Sequence, residues 1–175
     1  MPLNQTNEKE NNNMNSYIVN MGRRAGVIMH ISSLPGEHGI GDIGESAHAF
    51  VDALADMDLA VWQFLPLGPT AYGDSPYQPL SAFAGNANLI GLHQLVELGL
   101  LHEPELSSLS GLPSHFCDYG NLIPAKRELL KTASSRLMAR RGSALMTEYE
   151  EFLHRNADWV EDYSLFRLLK TAHGE

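Results

Sequence analysis

Two short apolar stretches decide the fold class: Ala-Gly-Val-Ile-Met-His-Ile at residues 25–31 and Val-Trp-Gln-Phe-Leu-Pro-Leu at residues 61–67. Neither stretch alternates between apolar and polar side chains, and the first is rich in β-branched residues. A non-alternating apolar run is typical of a strand covered on both faces, as in a parallel sheet. Pro66 and Pro69 end the second run, because proline cannot donate to a strand ladder. The two stretches therefore predict parallel strands.

The residues between these stretches predict a helix. Asp42 and Glu45 have the spacing of a capping box, so we expect Asp42 to cap this helix. Apolar residues then follow at helical spacing: Ala47, Phe50 or Val51, and Leu54. Strand, helix and strand within about 40 residues form a βαβ unit with a right-handed crossover. Two parallel strands cannot cover their own faces and edges, and no convincing third strand follows, so we expect the opening section of a larger α/β fold.

Residues 68–88 follow the second strand and show no clear period. In α/β folds the carboxyl ends of the strands are where sites are built, and long loops in compact domains are commonly functional. The loop places aromatic rings beside hydroxyls and amides, as in Ala-Tyr-Gly-Asp-Ser-Pro-Tyr-Gln at residues 71–78. A ring can stack on the apolar face of a sugar while short polar groups bind its hydroxyls. This composition suits a neutral polyol, with a merely structural loop as the alternative.

Beyond residue 90 the sequence predicts helices. A short helix ends at Gly99, Pro124 stands at the first position of the next, Ser143 caps a third, and Asp158 with Glu161 begins a fourth. The apolar side chains at helical spacing are Leu92, Leu95, Val96, Leu98, Leu130, Ala133, Leu137, Leu145, Tyr149, Phe152, Trp159, Tyr163, Phe166 and Leu169. We expect the aromatic residues among them to belong to the core.

The charge balance excludes some partners. The 175 residues contain 12 basic and 21 acidic side chains, a formal net charge of −9. Such a surface repels phosphate backbones and anionic membranes, so neither nucleic acid nor membrane is an expected partner. Cys117 is the single cysteine, which excludes an internal disulfide and a multi-cysteine zinc site. Residues 1–22 are rich in asparagine and lack the apolar core of a signal peptide, so we expect a disordered tail and, by default, a cytoplasmic protein.

Signals for other chemistries are weak. Gly39, Gly41 and Gly44 have the spacing of a dinucleotide fingerprint, but seven residues separate Ile31 from Gly39 and no carboxylate ends the second strand. Tight turns and close packing explain these glycines better. No two of the eight histidines lie three or four residues apart, so the sequence predicts no metal pair on a helix. We expect His30, inside an apolar strand, to be a hydrogen-bonded core histidine.

A series of more specific motifs runs in order along the chain. They are Arg24-Ala25-Gly26, Ser33-Leu34-Pro35-Gly36, His38-Gly39-Ile40-Gly41-Asp42-Ile43-Gly44, Trp62-Gln63-x-Leu65-Pro66-Leu67-x-Pro69, Ser75-Pro76-Tyr77, Ser81-x-Phe83-Ala84-Gly85-Asn86, Leu89-Ile90, Asp118-Tyr119 with Lys126, and Trp159-x-x-Asp162-Tyr163-x-Leu165-Phe166. Together they resemble the opening of the amylomaltases, the 4-alpha-glucanotransferases of glycoside hydrolase family 77. The resemblance extends from Arg24 to Gly174. One departure is Ala87, where the family usually has proline, and we expect it to alter local stiffness more than chemistry.

The resemblance implies a (β/α)8 TIM barrel of which this chain is roughly the first third. Residues 23–90 would form the first βαβ units with a substrate loop at 68–88, and residues 91–175 a mainly helical insertion. It implies transfer of α-1,4-glucan segments by a retaining mechanism with two carboxyl groups. In the family these carboxylates lie on later strands, past Glu175, so we assign no catalytic residue and expect the isolated chain to be inactive. No metal or organic cofactor is implied.

The resemblance also supplies candidate substrate-binding residues. Tyr77 matches the family tyrosine that stacks near the sugar undergoing cleavage, and Ser75 and Asn86 match positions in the same loop. Asp74 is read as a turn residue. The implied partners are α-1,4-glucans such as maltose, maltotriose and maltodextrins, together with the remainder of the barrel. A non-catalytic glucan-binding fragment and a nucleotide-binding α/β protein stay open as alternatives.

Overall fold

The computed structural model describes residues 22–174, so most of the predicted tail at 1–22 lies outside the described residues. A parallel pair of strands and several helices make up the described part. Their bounds are β1 (Gly26–Ile28), α1 (Glu45–Asp56), β2 (Val61–Gln63), α2 (Leu92–Glu97), α3 (Tyr119–Ala139), α4 (Ala144–Arg155) and α5 (Val160–Ala172), with 3-10 turns at Ile31–Ser33, Tyr72–Asp74, Ala87–Leu89 and Glu103–Leu109. Between residues 22 and 174, none of these helices combines the length and apolar character needed to cross a bilayer.

The two strands pair in parallel, as predicted. Gly26 lies opposite Val61 and Ile28 opposite Gln63. Each strand has only three residues, so both are shorter than the apolar stretches that predict them. The expected burial on both faces is wrong: the Ile28 side chain is 70% exposed. A two-stranded sheet with one crossover helix leaves faces that nothing in residues 22–174 covers.

Helix α1 packs its predicted face on the sheet. Ala47 and Leu54 are buried, and the Phe50 ring meets the Trp62 ring edge-on, with ring centroids 4.9 Å apart. Val51 is half exposed, so Phe50 is the residue that completes the buried stripe. The predicted capping box is wrong, because Gly44 occupies the N-cap position and no side chain caps the helix.

The main core extends away from the sheet, and Trp62 of β2 packs against it. It joins the turn after β1, α2, the 3-10 turn at 103–109 and α3, and its fully buried members are Leu92, Leu101, Leu109 and Leu122. Arg136 of α3 closes one side: its guanidinium donates to the Leu100 carbonyl at 3.0 Å and to both carboxylate oxygens of Glu105 at 2.7 and 2.8 Å. This two-point contact lowers the pKa of Glu105 to about 2. The ion pair therefore links α3 to the turn that covers the core.

Of the three helix starts predicted beyond residue 90, two are wrong and one is confirmed. Helix α3 begins at Tyr119, with the Asp118 carboxylate accepting from the Asn121 N–H at 3.3 Å, so Pro124 lies inside the helix rather than at its first position. The Ser143 hydroxyl caps α4 by accepting from the Met146 N–H at 3.2 Å, as predicted. Helix α5 has Trp159 as its N-cap residue with no side-chain cap, so the predicted start at Asp158 is wrong. An aspartate cap placed earlier in the chain outweighs proline as a start signal, because it satisfies an otherwise free N–H.

The aromatic residues of α4 and α5 are not core residues, contrary to the prediction. No residue of either helix is buried, and Phe166 and Leu169 are 42% and 51% exposed. The rings instead contact one another, and Phe83 of the loop at 68–88 stacks on Trp159 with centroids 5.9 Å apart. Helical periodicity identifies side chains that share a face, but it does not show what covers that face.

Gly41 illustrates why the glycines of the turn after β1 are needed. A Cβ atom at this position would collide with the Ile31 carbonyl oxygen and with the backbone oxygen and nitrogen of Leu34. Because all three are backbone atoms, the collision cannot be relieved by rotating a side chain. The interpretation of these glycines as packing residues is supported at this position.

Gly41→Ala is therefore expected to lower the free energy of unfolding by about 3 kcal/mol, the upper part of the range for overpacking. The matched control is Gly111→Ala, since no atom lies within 4 Å of a Cβ built there. We expect the control to change stability by less than about 0.5 kcal/mol. Urea denaturation of the two variants measures both values. Equal midpoints for Gly41→Ala and the unchanged chain would show that the backbone shifts freely at this turn.

Candidate functional site

The loop at 68–88 leaves the carboxyl end of β2 and folds back toward it. Thr70 and Pro79 form an isolated antiparallel bridge across the loop. Near its end, the Asn86 N–H donates to the Leu67 carbonyl at 2.8 Å, which brings the chain back beside the segment that follows β2. The loop is thus held at both ends by backbone hydrogen bonds, at the sheet edge where α/β folds build their sites.

The structure places the three predicted substrate-binding residues in different settings on this loop. Tyr77 is 69% exposed, so its ring is available to a partner. The Ser75 hydroxyl accepts from the Tyr77 N–H at 3.3 Å and so shapes the turn that presents the ring. The Asn86 side chain accepts from the Asn88 N–H at 3.0 Å and caps the following 3-10 turn. Tyr77 is therefore the exposed member, and the other two hold the loop in shape.

A groove of about 940 Å³ runs between this loop and the helices α3 and α5. Asn86 lines it, whereas Ser75 and Tyr77 do not. Side chains from both helices complete the wall, including Arg127 and Tyr163. The structure therefore separates the predicted residues: Asn86 faces the groove, and Tyr77 projects from the loop outside it.

Lys126 anchors the end of the loop to α3. Its side chain is fully buried, and its ammonium group donates to the Asn88 carbonyl at 2.7 Å. Burial lowers the pKa of Lys126 to about 8, although the nearby Asp42 carboxylate opposes this change. Burial likewise raises the pKa of Asp42, and Lys126 opposes that change in turn. Asp42 is thus the charge partner of a buried lysine rather than a helix cap.

The anchoring role of Lys126 is not apparent from the motifs alone. The signal that identifies it is a charged residue on an apolar helix face, because Lys126 shares the buried side of α3 with Leu122, Leu129 and Ala133. A lysine at such a position must find a hydrogen-bond acceptor, since an unpaired buried charge is costly. The sequence shows that a charged lysine lies on an apolar helix face, but it does not show which carbonyl group accepts its hydrogen bond.

His30 does not behave as the hydrogen-bonded core histidine that the sequence predicts. Its Nδ1 atom is buried and has no hydrogen-bond partner among residues 22–174. Burial lowers the pKa of His30, so the ring is neutral at neutral pH. His30 follows β1 by two residues and therefore lies at the same sheet edge as the loop at 68–88. The prediction is wrong because apolar neighbours in the sequence do not specify where a polar ring atom points.

Comparison with known proteins identifies the family. A family model described as 4-alpha-glucanotransferase matches residues 29–175. The chain belongs to the 4-alpha-glucanotransferase family. It is 42% identical to the 4-alpha-glucanotransferase of Synechocystis over 151 residues, covering 86% of this chain and 30% of that protein. It is 44% identical to the 4-alpha-glucanotransferase of Streptococcus pneumoniae serotype 4, in a match that covers 85% of this chain and 29% of that protein. It is 43% identical to the 4-alpha-glucanotransferase of Thermus thermophilus, in a match that covers 87% of this chain and 30% of that protein.

A solved structure of the same family matches the described fold. It is the amylomaltase from Streptococcus agalactiae in complex with acarbose, with a TM-score of 0.79 and 38% identity. The match covers 86% of this chain and 30% of the amylomaltase. The chain thus spans about 30% of the length of the 4-alpha-glucanotransferases it matches. Membership of this family supports the motif resemblance over the dinucleotide fingerprint as the interpretation of residues 38–44.

Proposed function

We propose that this chain forms the N-terminal part of a 4-alpha-glucanotransferase and contributes the loop at 68–88 to its glucan site. The observation that carries the proposal is the 69% exposure of Tyr77, on the loop that follows β2, in a chain of this family. An exposed tyrosine at the carboxyl edge of a parallel sheet offers a flat ring to the apolar face of a glucose unit. The bound acarbose of the amylomaltase that the chain matches supports an α-glucan as the ligand.

The proposed reaction transfers an α-1,4-glucan segment with retention. In the first step a carboxylate attacks the anomeric carbon while a carboxylic acid protonates the departing glycosidic oxygen. In the second step the 4-hydroxyl of an acceptor glucan attacks the anomeric carbon, displaces the first carboxylate and gives its proton to the second carboxyl group. We assign neither carboxyl group to this chain. Tyr77 holds the sugar next to the reacting bond, and Ser75 and Asn86 keep the loop in place. Stacking favours an acceptor sugar over water, which a transferase requires.

The proposal includes the (β/α)8 barrel. Residues 23–90 would supply its first βαβ units, and residues 91–175 a helical insertion. The parallel pairing of β1 and β2 with α1 between them supports the first assignment. The exposed strand faces support it as well, because strands of a barrel are covered by neighbours on each side. The remainder of the barrel is accordingly the proposed protein partner.

Titration of the 175-residue chain with maltoheptaose tests the glucan site. Trp159 stacks on Phe83 of the loop, so a sugar bound at the loop is expected to change tryptophan fluorescence in a saturable way. Trp159→Phe should remove most of this change. Cellohexaose, which has β-1,4 linkages, is the matched control ligand and should have no effect.

Two results of this experiment would contradict the proposal. Equal responses to maltoheptaose and cellohexaose would show that the loop does not recognise α-1,4-glucans. Formation of longer maltodextrins from maltotriose by the chain itself would show that its own residues supply the catalytic carboxyl groups.

A further inference from the structure

Three side chains with metal-binding atoms converge beside the turn that follows β1. Glu37 and His38 belong to this turn, and His93 is the second residue of α2. One ligand atom from each of the three lies within 4.8 Å of the others. The closest pair is His93 Nε2 and Glu37 Oε2, which are 3.1 Å apart, and the two imidazole rings have centroids 5.0 Å apart.

His38 is the buried member of this group. Only 9% of the residue is exposed. Its ring lies against that of His93 at an interplanar angle of 50°. Imidazole nitrogens and a carboxylate that lie this close together are the ligand types of zinc sites in proteins.

We propose that Glu37, His38 and His93 bind a divalent transition-metal ion with the ligand preferences of Zn²⁺. Zinc takes nitrogen and oxygen ligands at about 2.0–2.2 Å in a tetrahedron, which places the ligand atoms about 3.3 Å from one another. The present separations of up to 4.8 Å require a contraction of up to about 1.5 Å. The Glu37 and His93 side chains are 83% and 51% exposed, so both can rotate toward the buried His38. Water would fill the fourth position.

Glu103 orients His93 for this role. Its Oε1 atom lies 3.4 Å from His93 Nδ1, on the opposite side of the ring from Glu37. A histidine that binds a metal through one nitrogen commonly donates its other N–H to a carboxylate, which fixes the ring orientation. With Nδ1–H directed at Glu103, a bound ion would displace the proton through which Nε2 contacts Glu37, and Nε2 would then bind the ion. The ion would therefore join the turn after β1, α2 and the 3-10 turn at 103–109.

Calorimetric titration of the metal-free chain with Zn²⁺ tests the proposal, with no glucan present. We expect one Zn²⁺ per chain, a rise in melting temperature of about 5 °C at saturation, and no response to Mg²⁺, which prefers oxygen ligands. Co²⁺ should give the visible absorption of a four-coordinate ion. Loss of a ligand in His93→Gln or Glu37→Gln should weaken Zn²⁺ binding by about 100-fold, and Glu103→Gln by about 10-fold.

His154→Gln is the matched control, because His154 is an exposed histidine on α4 that does not belong to the group of three ligands. It should bind Zn²⁺ as the unchanged chain does. Glu37→Gln keeps the test decisive if His93→Gln fails to fold, since Glu37 is largely exposed. Absence of Zn²⁺ binding, or equal affinity in the unchanged chain and in Glu37→Gln, would overturn the proposal. Neither result would bear on glucan binding by the loop at 68–88.

Discussion

Replacing Lys126 with methionine is expected to abolish a pH-dependent gain in stability of about 3 kcal/mol. The folded chain holds Lys126 with a pKa of about 8, whereas the ordinary value for the unfolded chain is 10.5. Between these two pH values the unfolded chain binds more protons than the folded chain, so the free energy of unfolding rises with pH. Below pH 8 the gain is absent, because the buried ammonium is charged in both states.

The measurement is the difference in unfolding free energy between the unchanged chain and Lys126→Met, at intervals from pH 7 to 10.5. Other groups titrate in this range: burial raises the pKa values of Cys117 and Tyr119, which lowers stability as pH rises. Their contribution is the same in both proteins and cancels in the difference. Lys131→Met is the matched control, since Lys131 is an exposed lysine on the same helix.

For Lys126→Met we expect the difference to change by about 3 kcal/mol across this range, and for Lys131→Met to stay constant. A constant difference for Lys126→Met would show that Lys126 keeps an ordinary pKa. The anchor between α3 and Asn88 would then be a solvated contact rather than a buried one.

Tyr77→Ala is expected to reduce transferase activity by about 10- to 100-fold in a protein that contains both this chain and the remaining barrel. Such a protein is a hybrid in which residues 29–175 replace the matching segment of the Thermus thermophilus 4-alpha-glucanotransferase. The reason is the loss of the exposed ring that we propose to stack on the sugar next to the reacting bond. Tyr77→Phe keeps the ring and should retain activity within about 3-fold.

The readout is kcat/KM for conversion of maltotriose. Met57→Ala is the matched control, because Met57 is also an exposed apolar side chain but precedes β2, at the opposite end of the strand from the loop. It should leave the rate unchanged. Equal losses in Tyr77→Ala and Met57→Ala would mean that substitutions in this region act through stability alone.

Local patterns in the sequence predict the βαβ unit well. The two apolar stretches predict parallel strands, and Ser143 predicts the start of α4, because the character of a strand and a helix cap each depend on a few neighbouring residues. Burial is less predictable. Ile28 has the sequence context of a core residue, yet it is exposed, because burial depends on elements that lie opposite it.

In the candidate site too, some features follow from the local sequence and others depend on distant residues. The position of the loop at 68–88 follows from the end of β2, and the exposed Tyr77 follows from the family motifs. The role of Lys126 depends on a carbonyl 38 residues away in the sequence, and the contact between Glu37 and His93 spans 56 residues. No spacing rule connects such positions, since only the packing of α2 and α3 against the turns brings them together.

The most direct test of the central claim is the product pattern of the unsubstituted hybrid incubated with maltotriose. If residues 29–175 form a working part of a 4-alpha-glucanotransferase, chromatography should show glucose together with maltodextrins longer than maltotriose. A hybrid that folds and binds maltoheptaose but leaves maltotriose unchanged would contradict the claim and identify the chain as a glucan-binding module without a part in transfer.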